Sequence, residues 1–130
     1  VLEAVSYSSI VFGNLHEEFL LIYDGNEDTL DKHISEKQTF ICRDGHNGAL
    51  GITNKDKVIS NAIPISPIDS VGAGDAFNTG FIYASCCGKD IEESLDIGNQ
   101  VAAFKLLGSG ARHLPTKELL DDFNKKYQIN

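Results

Sequence analysis

Residues 69–84 read DSVGAGDAFNTGFIYA: three small residues, Gly72-Ala73-Gly74, stand directly before an acid, Asp75, and an apolar run follows at once. Phe77, Phe81, Ala84 and Ser85 recur at spacings of three and four, which predicts a helix from about Gly74 to Cys87. The first N–H groups of a helix lack intrahelical partners, and the macrodipole adds partial positive charge there. Glycines ahead of the first turn let successive N–H groups converge, and no Cβ keeps an anion away. Gly72-Ala73-Gly74 is therefore a candidate phosphate cradle. Asp75, at its lip, would repel phosphate; the position suits a base facing an incoming nucleophile. Taken alone, the same residues also make a tight loop with a first-turn acid that stabilises its helix by a few tenths to about 1 kcal/mol.

Upstream, SSIVFGN (8–14) reads as a buried strand running into a turn. LHEEFLLIYDG (15–25) has helical spacing at Leu15, Phe19, Ile22 and Tyr23 and is stopped by Gly25, and DTLDKHISEK (28–37) reads as a short exposed helix. Residues 39–61 read as three strands, Thr39 to Arg43, Gly48 to Thr53 and Val58 to Ser60. Downstream, a second long helix at 90–108 starts with a capping-box pair, Asp90 and Glu93. A third, 115–127, starts at Thr116 and turns Leu119, Leu120 and Phe123 inward. Strand, helices, strand, hairpin and helices predict an α/β fold with a mixed sheet. VLEAVSY, at the start, looks like the tail of a helix, so the chain is expected to begin in mid-fold.

The chain has 130 residues, 42% of them hydrophobic and 23% charged, as in an ordinary globular protein. No apolar stretch approaches the length of a membrane span and no secretory leader is visible, which gives a cytoplasmic expectation. The net charge of −8 argues against a nucleic-acid surface, so any phosphate must be held by local geometry. Cys42, Cys86 and Cys87 show no metal-ligand spacing, and the last two are expected as buried thiols.

Two further stretches carry polar residues at strand ends, where ligands bind in open α/β sheets. In NLHE, Asn14 would cap a helix starting at Leu15, and Glu17 would stand on its first turn within reach of the Asn14 side chain. That amide and carboxylate suit a hydrated Mg²⁺, although a plain capping box uses the same residues. His16 is expected to be exposed and without a partner. In CRDGHNGAL, Gly45 and Gly48 make a hairpin turn, and Arg43, at a strand end, has the fork and permanent charge that suit a phosphate.

DSVGAGDAFNTGFI resembles the C-terminal signature of the ribokinase-like (PfkB) carbohydrate and nucleoside kinases. NLHE is similar to that family's Asn-x-x-Glu motif, CRDGHNGAL to its Thr-x-Gly-x-x-Gly-Ala hairpin, and IGNQVAAFKLLGSGARHLPT to its closing segment. The resemblance covers residues 8 to 120 and implies the C-terminal portion of a three-layer α/β/α domain, spanning residues 1–130. It also implies an ATP-dependent transfer of the γ-phosphate to a sugar hydroxyl, with nucleosides as alternative acceptors.

Carried over, it makes Asp75 the catalytic base and Gly72, Ala73 and Gly74 the anion hole. Asn14 and Glu17 would organise Mg²⁺, and Gly45, Gly48 and Asn99 would lie near the nucleotide. Asp69, the main chain around Val71 and the loop from Gly108 to Arg112 would form the cation site of members activated by potassium. Arg43 stands where the family usually has Thr, and Ser70 where Thr is common. The family's sugar-binding residues and lid belong to an N-terminal half that has no counterpart here, so a missing half or a homodimer is the expected partner. The rival readings are a non-catalytic nucleotide-binding or regulatory fragment and, more weakly, a dinucleotide-binding domain, for which the third glycine of the fingerprint is absent.

Overall fold

Four short strands form one mixed sheet in the order β1-β2-β3-β4: β1 (Ile10–Asn14), β2 (Thr39–Arg43), β3 (Ala49–Ile52) and β4 (Lys57–Ser60). The computed structural model of the chain describes residues 1–23 and 25–129. β1 and β2 run parallel, and β2, β3 and β4 are antiparallel neighbours. The register sets Asn14 opposite Arg43, Arg43 opposite Ala49 and Ala49 opposite Ser60, so one line of residues crosses the same end of the sheet.

β2 is one of the two inner strands, and its Phe40, Ile41 and Cys42 are all fully buried, as strand residues covered on both faces must be. Alternation sends Phe40 and Cys42 to one face, where they meet Leu15, Phe19, Tyr23, Leu30 and Ile34. Ile41 points to the other face and packs with Phe77, Phe81 and Leu95. Sheet and two covering layers make the three-layer arrangement expected from the sequence.

The second covering layer is a helical hairpin, α3 (Ala73–Cys86) and α4 (Ile91–Leu106), which forms the most extensively packed pair of elements. Gly80 and Gly98 sit at their contact: a Cβ at Gly80 would lie 2.9 Å from Val101, and one at Gly98 2.8 Å from the Phe77 ring. Asp90 and Glu93 close the expected capping box at the start of α4, and Thr116 caps α5 (Lys117–Lys126). A short helix, α1 (Leu2–Ser6), precedes β1; Gln38 Nε2 ties it to the sheet by donating to Val5 O and Ser8 O.

Several expectations need correction. The regular helix expected over 15–25 is a π-helical turn, Leu15–Phe19, running into a short helix, α2 (Leu20–Ile22); Asp24 lies outside the described residues. Leu15, Phe19 and Tyr23 recur at steps of four, and these three are the residues buried, whereas Ile22 is exposed. In place of the helix expected over 28–37, a 3₁₀ segment spans Glu27–His33 and ends where Ile34 turns to extended backbone. Cys86 and Cys87 are exposed, since they lie beyond Ala84, the last residue of α3 to face the core. Leu119 is exposed too, because α5 rests on the molecule through Phe123, whose ring meets Phe104 edge-on.

Candidate active site

The N-terminus of α3 opens on the row of strand ends that includes Asn14 and Arg43. Gly72, its N-cap, has φ 81° and ψ 5°, a left-handed conformation that admits glycine without strain. A Cβ there would also lie 2.9 Å from the Ala111 Cβ. Ala73 N–H donates to Ser70 O and Ala76 N–H to Gly72 O, while helix geometry leaves the N–H groups of Gly74 and Asp75 without an intrahelical acceptor.

Over that turn lies Arg43. Its Nη1 would be 1.7 Å from a Cβ at Gly74, so the guanidinium fills the space that the missing side chain leaves. Its Nε is buried without a hydrogen-bond partner. Its other end, Nη2, lies 3.8 Å from Glu18 Oε2. A buried, unpaired donor beside an amide-lined turn is the arrangement that an oxyanion would complete.

Asn14 Oδ1 accepts from His16 N–H and Glu17 N–H, at 3.0 and 2.9 Å, and so acts as the cap of the π-helical turn. The acid that closes this cap is Glu18, whose Oε2 accepts the Asn14 N–H at 2.5 Å. Glu17 is exposed, and its contact with Asn14 runs through its own N–H. His16 does have a partner: its Nε2 lies 3.0 Å from Asp44 Oδ1. Among the described residues no three of His, Cys, Asp and Glu cluster as a metal site, and Glu17 could offer a Mg²⁺ one carboxylate, as that ion often takes.

A cavity of about 280 Å³ brings the separate motifs together. Asn14, Arg43, Gly45, Gly48, Ala73, Gly74 and Asn99 all line it. Asn99 is buried, and its amide nitrogen donates to Ser60 O, Ser60 Oγ and Asn61 O, which locks the end of β4 to α4. Asp75 stands exposed on the first turn of α3, and its carbonyl accepts from Thr79 Oγ1 at 2.8 Å.

The remaining expected residues belong to the loops behind the turn. Asp69 Oδ1 accepts from Val71 N–H and Oδ2 from Gly110 N–H, at 2.9 and 2.8 Å. These two backbone donors, in that order, hold the Asp69 carboxyl below its ordinary range, with the positive charge of Lys105 adding to them. Lys105 itself is fully buried, and its Nζ donates to Asp69 O at 2.8 Å and Gly108 O at 3.2 Å.

Glu18 and Lys105 escape the sequence reading. Glu18 takes over because a π-helical turn advances each side chain less than an α-turn does, which changes the residue that faces the cap. Lys105 carried a legible signal: Gly98, Val101 and Lys105 are spaced three and four apart, so the lysine falls on the buried stripe of its helix.

Residues 1–118 match the pfkB family carbohydrate kinase domain, and the chain belongs to that family. It is 28% identical over 123 residues to the ribokinase of Bacillus subtilis, covering 92% of this chain and 41% of that protein. Its fold superposes with a TM-score of 0.83 on the fructokinase of Vibrio cholerae O395 solved with fructose, ADP and calcium, at 26% identity over 95% of this chain and 43% of the other. The nucleoside kinase of Methanocaldococcus jannaschii superposes with a TM-score of 0.80 at 26% identity, over 96% of this chain and 42% of that one. The fold is therefore ribokinase-like, and the chain spans about two fifths of the length of these relatives. Among the described residues no helix is long and apolar enough to cross a membrane.

Proposed function

We propose that this chain is the nucleotide-binding and catalytic part of a kinase that transfers the γ-phosphate of ATP to a hydroxyl of a sugar. The observation that carries the reading is the one cavity on which Arg43, Ala73 and Gly74 of the turn, Gly45 and Gly48 of the hairpin, and Asn99 converge. Ribokinase and fructokinase relatives favour a sugar as acceptor, and the nucleoside kinase relative keeps a nucleoside as the second choice.

Phosphoryl transfer asks a protein chiefly for positioning and charge stabilisation, because the transition state spreads its charge over the equatorial oxygens. The N–H groups of Gly74 and Asp75 supply donors to those oxygens, and a donor of this kind is worth about 3 to 4 kcal/mol in comparable sites. Arg43 contributes a permanent charge on the same side, in place of the hydroxyl that the family usually has there. Glu17 would be the carboxylate that holds a Mg²⁺, which would supply neutralisation of the phosphate charge. Asp75, on the solvent side of the turn, accepts the proton of the acceptor hydroxyl as the O–P bond forms. The residues that bind the acceptor, and the lid, would come from a part matching the remaining three fifths of a full-length relative, on the same chain or on a partner.

The test is Mg-ATP-dependent phosphorylation of a sugar and nucleoside panel, with Asp75→Asn alongside and ATP binding followed by calorimetry. The reading expects Asp75→Asn to lose turnover by about 10² to 10⁴ with ATP affinity unchanged. Near-normal turnover in the variant would remove Asp75 as base; ATP binding without any transfer would favour a nucleotide-binding fragment.

A further inference from the structure

Lysine is almost never fully buried unless its charge is matched, yet Lys105 is wholly enclosed near the C-terminal end of α4. Both acceptors of its Nζ are main-chain carbonyls, Asp69 O and Gly108 O. They belong to the two loops whose residues the sequence resemblance assigns to a monovalent cation. A potassium ion and an ammonium make the same demand, carbonyl oxygens converging on one positive charge. The residues present do not fit an additional potassium ion at those carbonyls, because the Nζ already stands on them and a second cation would face direct repulsion.

We propose that the Lys105 ammonium is a tethered replacement for the monovalent cation, which makes the anion hole of this chain independent of potassium. The path from the charge to the site is short. Asp69 O accepts from Lys105, the Asp69 carboxylate holds Val71 N–H and Gly110 N–H, and Gly72 follows at once and packs on Ala111. Ile68 N–H donates to Leu106 O at 2.7 Å, fastening the same loop to the end of α4. One positive charge thus ties together both loops that shape the Gly72–Gly74 turn. The C-terminal end of α4 adds carbonyl dipoles that favour a cation in this place. Lys105 acts here as a positioning residue, through the backbone of Asp69 and Gly108.

Replacement of the cation deepens the kinase reading, and melting in different salts tests it without any nucleotide. The wild-type chain and Lys105→Ala are melted in potassium chloride and in choline chloride at equal ionic strength, and then titrated with Mg-ADP in each. The wild type is expected to melt at the same temperature and bind Mg-ADP equally in both salts. Lys105→Ala is expected to melt below the wild type in choline, to recover by about 3 °C or more in potassium, and to bind Mg-ADP about tenfold more tightly there than in choline.

A wild type stabilised by potassium, or a Lys105→Ala variant indifferent to it, would overturn the proposal. If Lys105→Ala does not fold in either salt, Lys105→Met keeps the buried stem. Its expected melting point lies below that of the wild type in both salts, and an equal one would overturn the proposal. Failure of the wild type to bind Mg-ADP in either salt would count against the kinase reading alone, since the melting comparison still decides the role of Lys105.

Discussion

Alanine at position 74 should separate stability from binding. Gly74 lies in the first turn of α3 with helical backbone, so an added methyl meets no backbone strain, and alanine favours the helix by up to about 1 kcal/mol. Opposing this, the new Cβ would stand 1.7 Å from Arg43 Nη1 and must push the guanidinium aside. The displaced atoms are the far end of a long side chain, with Nε unpaired and only a 3.8 Å approach to Glu18 to lose, so their movement costs no more than about 1 kcal/mol. The two effects nearly cancel, and the melting temperature of Gly74→Ala should stay within about 5 °C of the wild type. Affinity for Mg-ATP should not survive in the same way, because the methyl covers the amides that face the phosphate and moves the nearest permanent charge away. A loss of tenfold or more, about 1.4 kcal/mol, is the expected calorimetric result. Arg43→Thr in the Gly74→Ala background removes the collision and should restore no affinity, since the amides remain covered. A drop in melting temperature well beyond 5 °C would refute the easy displacement of Arg43, and unchanged affinity for Mg-ATP would refute the assignment of this turn as the anion hole.

Two further outcomes can be checked on the chain alone. The Asp69 carboxyl is held low by Val71 N–H and Gly110 N–H, so its contribution to stability is complete above the ordinary carboxyl range, about pH 4, and disappears as pH falls through the lower folded-state value. The gap in urea midpoint between wild type and Asp69→Asn should therefore shrink as pH drops below about 4; a gap that stays constant would dismiss these two hydrogen bonds as its source. Burial pushes the Cys42 thiol up to about 12, with the charge of Glu27 adding to it, while Cys86 and Cys87 are exposed. A thiol reagent at mildly alkaline pH should label those two quickly and Cys42 only on unfolding, and rapid labelling of Cys42 would contradict the packing of β2.

The parts of this molecule that could be read from its sequence are those in which one local rule dominates. The apolar run Phe40 to Cys42, turn glycines at Gly45 and Gly48, and the capping residues Asp90 and Thr116 each give an element within a residue or two of where it stands. The helix 15–25 was less legible because its apolar residues fit a step of four as well as a helical period, and only packing against Phe40 selects the wider turn. Gly72, Ala73, Gly74 and Arg43 could be named from their types and spacing, since phosphate recognition needs bare backbone and fixed charge, whereas Asn99 comes only from the family resemblance. The convergence of Arg43, Ala73, Gly74 and Asn99 in one cavity depends on strand register, which residue spacing does not encode. Glu18 was hidden by the π-helical turn that brings it to the Asn14 N–H, and Lys105, whose burial its stripe announces, by a partner, Asp69 O, that tertiary structure supplies.

The close packing of α3 on α4 through Gly80 and Gly98 has a bearing on how the protein opens. α3 carries the Gly72–Gly74 turn at its first residues, and α4 carries Lys105 at its last, so one helical hairpin holds both ends of the machinery. Neither helix can unravel from the site end without breaking the contact that keeps its neighbour in place. In amide hydrogen exchange the two helices should therefore open together as one slow unit, with α1 and α5 exchanging ahead of them, and the Gly72–Gly74 turn should borrow its rigidity from the slowest part of the chain.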